Sequence, residues 1–288
     1  MQKFNKVALI GRRHTDGVVE TLTTLINHLK DKNIKTVLEE ETAKILPNTK
    51  LTQINRDELS LNAELLIAVG GDGSMLAAAR IAANQKLPVV GINRGKLGFL
   101  TDITPNELEK IDQILNGDYC EEERFLLHAK ISEQTSTMYE EVALNDIVLL
   151  PSEMNRMIEF SVYIDNQLMC DYRADGLIVA TPTGSTAHAL SGGGPILHPG
   201  LDAIVLLPMF SHNLSSRPIV IHGNNNIEIK MSEDCHATPN ISCDGHRLIP
   251  ITDCGKINIK KYTKKLRLIH LTDYNYYDTL RQKLHWGN

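Results

Sequence analysis

The first stretch with residue types suited to chemistry runs from Leu65 to Arg80 and reads LLIAVGGDGSMLAAAR. Five apolar residues lead into Gly70-Gly71-Asp72-Gly73-Ser74, and an alanine-rich segment follows. This order predicts a buried strand, a tight turn and the start of a helix. Glycines let the backbone approach a ligand closely, and the N–H groups and dipole of a helix N-terminus favour an anion. We therefore expect a phosphate-binding loop.

Asp72 is the residue of this loop that needs a chemical reason, because a carboxylate repels phosphate. Two functions fit: it holds a metal ion, or it accepts a proton from an attacking hydroxyl group. The structural alternative is an aspartate that caps the helix in an ordinary turn. Such loops also occur in several unrelated kinases, so the stretch indicates phosphoryl transfer without identifying the substrate.

A second segment, 181–195, reads TPTGSTAHALSGGGP and follows Arg173-Ala174-Asp175-Gly176. So much glycine, serine and threonine is costly in conformational entropy. The segment offers many hydroxyl and backbone donors beside Arg173, as a polyphosphate or dinucleotide site needs. The structural alternative is that Thr-Pro and Gly-Gly-Pro form turns and that the small residues pack helices closely. A binding loop is the preferred interpretation.

The composition and the absence of certain motifs argue against several classes of protein. A net charge of −5 does not favour a nucleic-acid partner, and 42% apolar residues supply a substantial core. No apolar run is long enough to span a bilayer, and the N-terminus does not resemble a signal peptide. Neither a P-loop nor a Gly-x-Ser-x-Gly elbow occurs, and no Gly-x-Gly-x-x-Gly opens the first helix.

Cysteine usage points to a reducing compartment. The number of cysteines is odd and no pair has Cys-x-x-Cys spacing, so neither a disulfide framework nor a zinc site is indicated. We expect a cytoplasmic protein. The cysteines are Cys120, Cys170, Cys235, Cys243 and Cys254.

Residues 1–116 alternate strands with helices, which predicts an α/β domain with a parallel sheet and helices on both faces. Ligands of such sheets lie beyond the carboxyl ends of the strands, where both glycine loops of this part follow strands. Thr104-Pro105-Asn106-Glu107 predicts a capping box and a helix that starts at Pro105. The predicted strands are 7–10, 34–38, 65–69 and 87–92, and the first predicted helix is 18–29.

Residues 117–273 change to a period of two, which predicts a mostly antiparallel all-β domain. Gly117-Asp118 and the acidic run 121–123 break the earlier pattern. Apolar residues then alternate with polar ones at 158–164 and 227–231, and turn formers such as Asp165-Asn166 separate the strands. Segment 274–288 returns to helical spacing and is expected to complete the first domain.

Taken together, the motifs resemble those of the NAD kinase family, of the bacterial ATP-NAD kinase type, over nearly the whole chain. The loop at 70–74 alone is shared with phosphofructokinases and diacylglycerol-type lipid kinases, whereas the segment 181–195 is far more specific. The remaining matching motifs are Asn93-Arg94-Gly95 with Leu97-Gly98-Phe99-Leu100, Asn145-Asp146, Asp175-Gly176, Ser216-Arg217-Pro218 and Asp244-Gly245.

The resemblance implies transfer of the γ-phosphoryl group of ATP to the 2′-hydroxyl of the adenosine ribose of NAD, giving NADP and ADP. It also implies Mg²⁺ or another divalent metal such as Mn²⁺, without a protein ligand that we can assign. NAD and ATP are the expected small-molecule partners, bound by a nucleotide-binding domain and a β-rich NAD-binding domain. A homo-oligomer, often a tetramer, is implied, and neither nucleic acid nor membrane is an expected partner.

Carried over position by position, Asp72 matches the proton acceptor, and Gly71 and Gly73 match positions where phosphate approaches. Asn145 and Asp146 match a pair that binds ribose hydroxyls and base edges; the residues alone favour a turn before strand 147–150. The other implied NAD- or ATP-binding residues are Arg156, Arg173, Asp175, Thr186, Ala187, His188, Ser191 and His246.

Three of these positions carry a specific alternative. His188 stands where the family usually has tyrosine; imidazole can still stack on a base or donate a hydrogen bond, but its face is smaller and it can become charged. His246 stands where the family varies. Arg173 can be bidentate to phosphate, and its structural alternative is a solvated surface arginine.

Two other functions compete with the NAD kinase reading. One is a kinase that uses the same Gly-Gly-Asp-Gly loop on a lipid or sugar phosphate, which would need a membrane-facing patch or sugar-phosphate motifs. The other is a sensor that binds NAD(H) or NADP(H) and transfers nothing. Asp72→Asn distinguishes an NAD kinase from such a sensor, because only the kinase should lose turnover while it still binds NAD.

Overall fold

The computed structural model describes residues 3–12, 16–46, 49–95, 98–133, 136–153, 156–232, 239–251 and 255–287. The chain forms two units, the first made of residues 1–123 with 264–288 and the second of residues 124–263. Cys235, Cys254 and Leu97, named above, lie outside the described residues.

The first unit begins with alternating strands and helices. They are β1 (Lys6–Gly11), α1 (Val18–Asp31), β2 (Lys35–Glu39), α2 (Glu40–Ala43), β3 (Thr52–Ile54), α3 (Leu59–Asn62), β4 (Leu65–Gly70), α4 (Asp72–Gln85), β5 (Pro88–Asn93) and α5 (Glu109–Asn116).

Strands dominate the rest of the chain, which also has two helices, α6 (His188–Ser191) and α7 (Tyr276–Leu284). The strands are β6 (Cys120–Glu133), β7 (Ser136–Ala143), β8 (Asp146–Pro151), β9 (Ile158–Ile164), β10 (Gln167–Ala174), β11 (Gly176–Ala180), β12 (Ala203–Met209), β13 (Ile219–His222), β14 (Ile227–Met231), β15 (Pro239–Cys243), β16 (Leu248–Pro250) and β17 (Gly255–His270).

The first unit contains a parallel sheet in the order β5-β4-β1-β2-β3, and the end of β17 extends it by pairing with β5. Every residue of β4 and β5 is buried, which explains their unbroken apolar runs. Leu22, Leu25 and Leu29 of α1 join these strands in one apolar core. The predicted α/β class is confirmed, and this sheet aims the β4–α4 loop at its carboxyl edge.

The second unit is antiparallel, as predicted. β10, β9, β14 and β17 form one set of strands, and a six-stranded sheet has the order β13-β12-β11-β8-β15-β16. Leu177 and Val179 of β11 face the shared core of this unit. Ile178 and Ala180 face the other way, where Ala189 and Leu197 cover them. Strand alternation therefore fixes the glycine-rich segment 181–197 on the outer face of the six-stranded sheet.

One local prediction was wrong, because the helix predicted to start at Pro105 starts at Glu109. The Glu107 carboxylate does accept hydrogen bonds from the Thr104 N–H and hydroxyl group, and the first of these is part of the predicted capping box. The acidic run 121–123, where the sequence pattern changes, lies in β6. Ion pairs of Glu121 with Arg267 and of Glu123 with Lys265 offset its charge.

Cys120 and Cys170 are free thiols. No helix among the described residues is long and apolar enough to cross a membrane.

Candidate functional site

Asp72 is the first residue of α4 and directly follows the N-cap residue Gly71. Its carboxylate does not cap its own helix. Instead, Oδ2 accepts a hydrogen bond from the Phe99 N–H at 3.1 Å, and Oδ1 accepts one from the Leu100 N–H at 3.2 Å. A carboxylate has about four lone-pair sites, so both oxygens keep capacity for another donor. The side chain is thus oriented from outside its helix and remains able to accept a proton.

Gly98 makes this arrangement possible. A Cβ atom on Gly98 would lie 2.2 Å from Asp72 Oδ1 and 2.5 Å from Thr101 Oγ1, well inside contact distance. Only a residue without a side chain leaves room for the carboxylate against the 98–101 backbone. Sequence reasoning placed Gly98 in a family motif but gave it no function.

The glycines of the first loop face open space. A Cβ atom on Gly71 or Gly73 would have no described atom within 4 Å, and Gly73 is exposed. The N–H of Ser74 donates to the Gly71 carbonyl at 2.9 Å, which starts the helix. The predicted strand, turn and helix N-terminus are therefore present, and the open side of the loop is accessible to an anion.

Asn145 and Asp146 end a tight bend that leads into β8. Asp146 is the first residue of the strand, and its side chain is only 1% exposed. The Oδ1 atoms of Asn145 and Asp146 are both buried and have no hydrogen-bond partner among the described residues. Buried acceptors without partners are rare in folded proteins. Hydroxyl groups of a ligand are the donors that would satisfy them.

Asp244 holds this bend, which sequence reasoning missed. Its Oδ1 accepts the N–H groups of Asn145 at 2.7 Å and of Asp146 at 3.3 Å, and its Oδ2 accepts the N–H of Leu144 at 3.0 Å. The Asp244 N–H returns a bond to the Asp146 carbonyl at 2.9 Å. Three backbone donors on one carboxylate fix the direction of both side chains that follow.

His188 lies beside Asp146. Its Nδ1 is 3.4 Å from Asp146 Oδ2, and its side chain is 62% exposed. The hydrogen bond to Asp146 raises the pKa of His188, against the smaller opposing effect of burial. One face of the ring is therefore open to a ligand while one nitrogen is held by the buried carboxylate.

The segment after β11 is tied to the same bend. The Thr181 hydroxyl donates to the Leu144 carbonyl at 2.5 Å, and the Thr181 N–H donates to the Asn145 carbonyl at 2.9 Å. A Cβ atom on Gly184 would lie 2.0 Å from the Asn145 carbonyl oxygen, so only glycine permits this approach. The segment that carries Thr186 and His188 is thus packed directly on Asn145.

The other predicted binding residues, Thr186, Ala187, Ser191 and His246, have the following local contacts. The Thr186 hydroxyl donates to the Thr183 carbonyl at 3.1 Å. Ala187 links a 3₁₀ turn to α6 with φ −104° and ψ −125°, and Ser191 is exposed at the end of α6. His246 is exposed in the turn that follows Asp244, and its N–H donates to the Cys243 carbonyl at 3.0 Å.

The two predicted arginines lie on the surface of the second unit. Arg173 is 62% exposed, and its Nε lies 3.5 Å from Glu159 Oε1. It lines an open cavity of about 360 Å³ together with Glu159 and Asp171, so carboxylates share its surroundings. Arg156 lies 3.0 Å from Glu153. The N–H of Asp175 donates to the Met209 carbonyl at 2.9 Å.

The structure therefore brings Asn145, Asp146, His188 and the segment at Thr186 together in the second unit, and places Asp72, Gly71 and Gly73 in the first. Arg156 is paired with Glu153, Arg173 with Glu159, and the Asp175 N–H with the Met209 carbonyl. Asp244 and Gly98 complete these arrangements. In the sequence, Asp244-Gly245 was noted as a turn former and a family motif. The bonds of Asp244 to Leu144, Asn145 and Asp146 were not visible there, because those partners lie far away along the chain.

Within the described part of the chain, no three His, Cys, Asp or Glu side chains come close enough to hold a metal ion. A divalent ion of the Mg²⁺ type commonly keeps several waters and binds through substrate phosphates with one or two carboxylates. The described side chains thus offer no ready-made cage for such an ion.

Residues 7–119 match the family model described as the ATP-NAD kinase N-terminal domain, and residues 144–271 match the ATP-NAD kinase C-terminal domain. The chain is 52% identical over 283 residues to the NAD kinase of Coxiella burnetii (strain RSA 493 / Nine Mile phase I), covering 98% of this chain and 95% of that protein. It is 50% identical over 289 residues to the NAD kinase of Ectopseudomonas mendocina (strain ymp), covering 100% and 98%.

Two solved structures share the fold. A yeast NADH kinase complexed with NADH has a TM-score of 0.86 at 24% identity, covering 98% of this chain and 88% of that one. An NAD kinase from Archaeoglobus fulgidus in complex with ATP has a TM-score of 0.70 at 24% identity, covering 96% and 98%.

Proposed function

Because the chain belongs to the NAD kinase family, we propose that it transfers the γ-phosphoryl group of ATP to the 2′-hydroxyl of the adenosine ribose of NAD, giving NADP and ADP. The chain is a kinase and therefore a transferase of NADP biosynthesis. The position of attack and the residue that receives the proton are the parts we propose. The single observation that carries them is the Asp72 carboxylate, held at the N-terminus of α4 by the N–H groups of Phe99 and Leu100.

In the proposed reaction, the ribose oxygen forms a bond to the γ-phosphorus while the bond to the bridging oxygen of ADP breaks. The hydroxyl proton passes to Asp72 late in a loose transition state, in which the attacking oxygen still has little positive charge. The two N–H groups hold the carboxylate so that a lone pair remains for that proton. The gain comes from orienting the alcohol and accepting its proton.

For NAD binding, we propose that the unpartnered Oδ1 atoms of Asn145 and Asp146 accept hydrogen bonds from ribose hydroxyls or a base amino group. His188 presents its open face to the base, in place of the tyrosine usual in the family. Thr186, Ala187 and Ser191 are proposed to line the same site from the segment 181–195. Their support is that Thr181 and Gly184 pack this segment on Asn145.

We propose that phosphate binds at the loop of Gly71 and Gly73. The open side of Gly71 and Gly73 leaves space for phosphate oxygens near the N–H groups of α4. Arg156, Arg173, Asp175 and His246 stay predictions from family resemblance. If Arg173 contacts a phosphate, Arg173→Ala weakens binding of that substrate by about 1.5–3 kcal/mol, the range for a charged hydrogen bond.

We propose ATP as the phosphoryl donor and Mg²⁺ or another divalent ion as the cofactor. A relative of the same fold is described in complex with ATP. When bound, the ion would neutralise charge on the transferred phosphates. We also propose a cytoplasmic location, in keeping with the free thiols of Cys120 and Cys170.

A homo-oligomer, with a tetramer as the expected form, is proposed from the surface after β12. Phe210 is 82% exposed and Leu214 is 91% exposed, and Ile219 and Val220 of the edge strand β13 are 39% and 45% exposed. Contiguous exposed apolar side chains and an unpaired strand edge are features of association surfaces. Light scattering on Phe210→Ser/Leu214→Ser should show a smaller assembly than the parent protein.

The experiment that tests the proposed reaction incubates purified protein with NAD, ATP and Mg²⁺. NADP is read with a dehydrogenase that strictly requires NADP, and NMR locates the new phosphate on the adenosine ribose. Phosphate on the 2′-oxygen supports the proposal. The proposal would be overturned if no phosphorylated product formed with ATP or polyphosphate as donor and with NAD or NADH as acceptor. Binding of NAD without phosphoryl transfer would identify a sensor.

A further inference from the structure

His270, the last residue of β17, lies between two carboxylates in the first unit. It is 1% exposed. Its Nδ1 makes a short contact with Asp102 Oδ2, and its Nε2 lies 3.4 Å from Glu122 Oε2. The ring of Tyr274 stacks on the imidazole with 3.8 Å between centroids and 10° between planes.

This environment favours the charged form of the ring. Nδ1 makes the hydrogen bond to Asp102, whereas Nε2 lies 3.4 Å from the Glu122 carboxylate and has no hydrogen-bond partner among the described residues. Burial lowers the pKa of His270, but the two neighbouring carboxylates outweigh it, so the pKa lies above its ordinary value. Among the described residues, the titratable groups in contact with His270 are Asp102, Glu122 of β6 and Tyr274, which precedes α7.

Asp102 belongs to the backbone segment that holds Asp72. The N–H groups of Phe99 and Leu100, three and two residues earlier, donate to the Asp72 carboxylate. One residue later, the Ile103 carbonyl accepts the Asn93 N–H at 2.7 Å, and Ile103 bridges Ile92. Segment 99–103 is therefore fixed at three points. At one of them, the partly buried Asp102 is paired with the buried His270, so a charged side chain of the segment itself makes the contact.

We propose that His270 is a positioning residue for phosphoryl transfer, and that by anchoring Asp102 it keeps the N–H groups of Phe99 and Leu100 on the Asp72 carboxylate. The proposal rests on the proposed function for the role of Asp72 as proton acceptor. His270 acts through the backbone of segment 99–103 and not on substrate.

The variant that tests this is His270→Asn, whose amide can still donate to Asp102 but cannot carry charge. We expect kcat to fall about tenfold, the scale on which small misplacements of a reacting group lower rates. The KM values for NAD and ATP should change by less than about twofold, because the lost interaction is not made with either substrate.

Two further readouts separate positioning from simple structural support. Hydrogen exchange of the Phe99 and Leu100 amides should be faster in the variant by about tenfold, because the segment that carries these two N–H groups is held less firmly. In the parent protein, kcat should also decline as pH rises through the raised pKa of His270, because the imidazolium is then lost. That alkaline decline should be absent in His270→Asn.

A matched control is His28→Asn. His28 is a histidine of the same unit whose Nε2 lies 2.8 Å from Asp112 Oδ1, and it leaves segment 99–103 untouched. Its kcat and the exchange of the Phe99 and Leu100 amides should equal those of the parent. If His270→Asn does not fold, Asp102→Asn, which keeps the side-chain volume, serves in its place.

Parent-like exchange of Phe99 and Leu100 in a folded His270→Asn protein would overturn the proposal, as would a parent-like kcat. The exchange measurement does not need catalysis. If the parent protein forms no NADP, the proposed reaction fails, while slow or fast exchange still decides whether His270 anchors the segment.

Discussion

The Oδ1 atom of Asp244 accepts the backbone N–H of Asn145 at 2.7 Å, although 99 positions separate the two residues in the chain. The same carboxylate accepts the N–H groups of Leu144 and Asp146. Asn145 and Asp146 carry the buried acceptor atoms to which we assign NAD binding. The direction of those two atoms is thus set by Asp244, which lies in the turn after β15.

Asp244→Asn should therefore raise the KM for NAD more than it lowers kcat. The amide keeps one acceptor oxygen and turns an N–H pair toward one of the backbone donors. Leaving a buried donor unsatisfied costs about 1–3 kcal/mol, so the free energy of unfolding should fall by a similar amount. Steady-state kinetics with varied NAD, together with urea unfolding, measure both effects.

Asp165→Asn is the matched control for Asp244→Asn. Asp165 is also a turn aspartate with positive φ, and its Oδ1 accepts the Asn226 N–H at 2.9 Å. Its substitution should lower stability and leave the KM for NAD unchanged. An equal rise of KM in both variants would show that loss of stability, and not the direction of Asn145 and Asp146, controls NAD binding.

Local sequence signals predicted the elements well where burial determined them. The run 65–69 became β4, with all of its residues buried, and the alternation at 158–164 became β9. The Asp165-Asn166 turn formed with positive φ at both residues, as its composition requires. Periodicity reads such patterns directly because burial repeats with the geometry of the element.

Contacts between residues that lie far apart in the chain could not be predicted from the sequence. The sequence indicated Asp72 but not its hydrogen bonds to Phe99 and Leu100, because those depend on how loops after two neighbouring strands meet. The sequence placed the acidic run 121–123 where the strand–helix alternation ends, but it did not reveal the ion pairs that Glu121 and Glu123 of β6 make with Arg267 and Lys265. The role of Asp244 depends on the same kind of contact.

Gly98→Ala should lower kcat by about 10- to 100-fold, because the new methyl group would occupy the position of Asp72 Oδ1 and misplace the carboxylate. The KM values should change little. A double-mutant cycle with Asp72→Asn tests the cause: in the Asp72→Asn background, Gly98→Ala should lower kcat no further. The same fold-loss in both backgrounds would contradict an effect through Asp72.

Gly73→Ala should separate ligand binding from stability. Gly73 lies in the first turn of α4, is exposed, and has no described atom within 4 Å of an added Cβ. Alanine in a helix is more favourable than glycine by about 0.5–1 kcal/mol, so unfolding should be unchanged or shifted to higher denaturant. The KM for ATP should rise, because the methyl group narrows the space for phosphate. An unchanged KM would place the phosphates elsewhere.

The charge on His188 should depend on Asp146. The hydrogen bond to Asp146 raises the pKa of His188, so the imidazolium should persist above the ordinary value of about 6.5 and be lost as pH rises through the raised pKa. The ion pair therefore contributes at acidic pH and fades at alkaline pH. NMR titration of the ring should show a lower midpoint in Asp146→Asn, and an unchanged midpoint would contradict the pairing.

The role assigned to Asp72 is tested most directly by comparing Asp72→Asn with the parent protein in a single-turnover assay of NADP formation, with NAD binding measured by calorimetry. Asp118→Asn, an exposed aspartate of the same unit, is the control. Loss of the proton acceptor should lower the rate by about 10²–10⁴-fold and leave NAD affinity and the control unchanged. A variant that forms NADP at the parent rate would contradict the assignment of Asp72 as the proton acceptor.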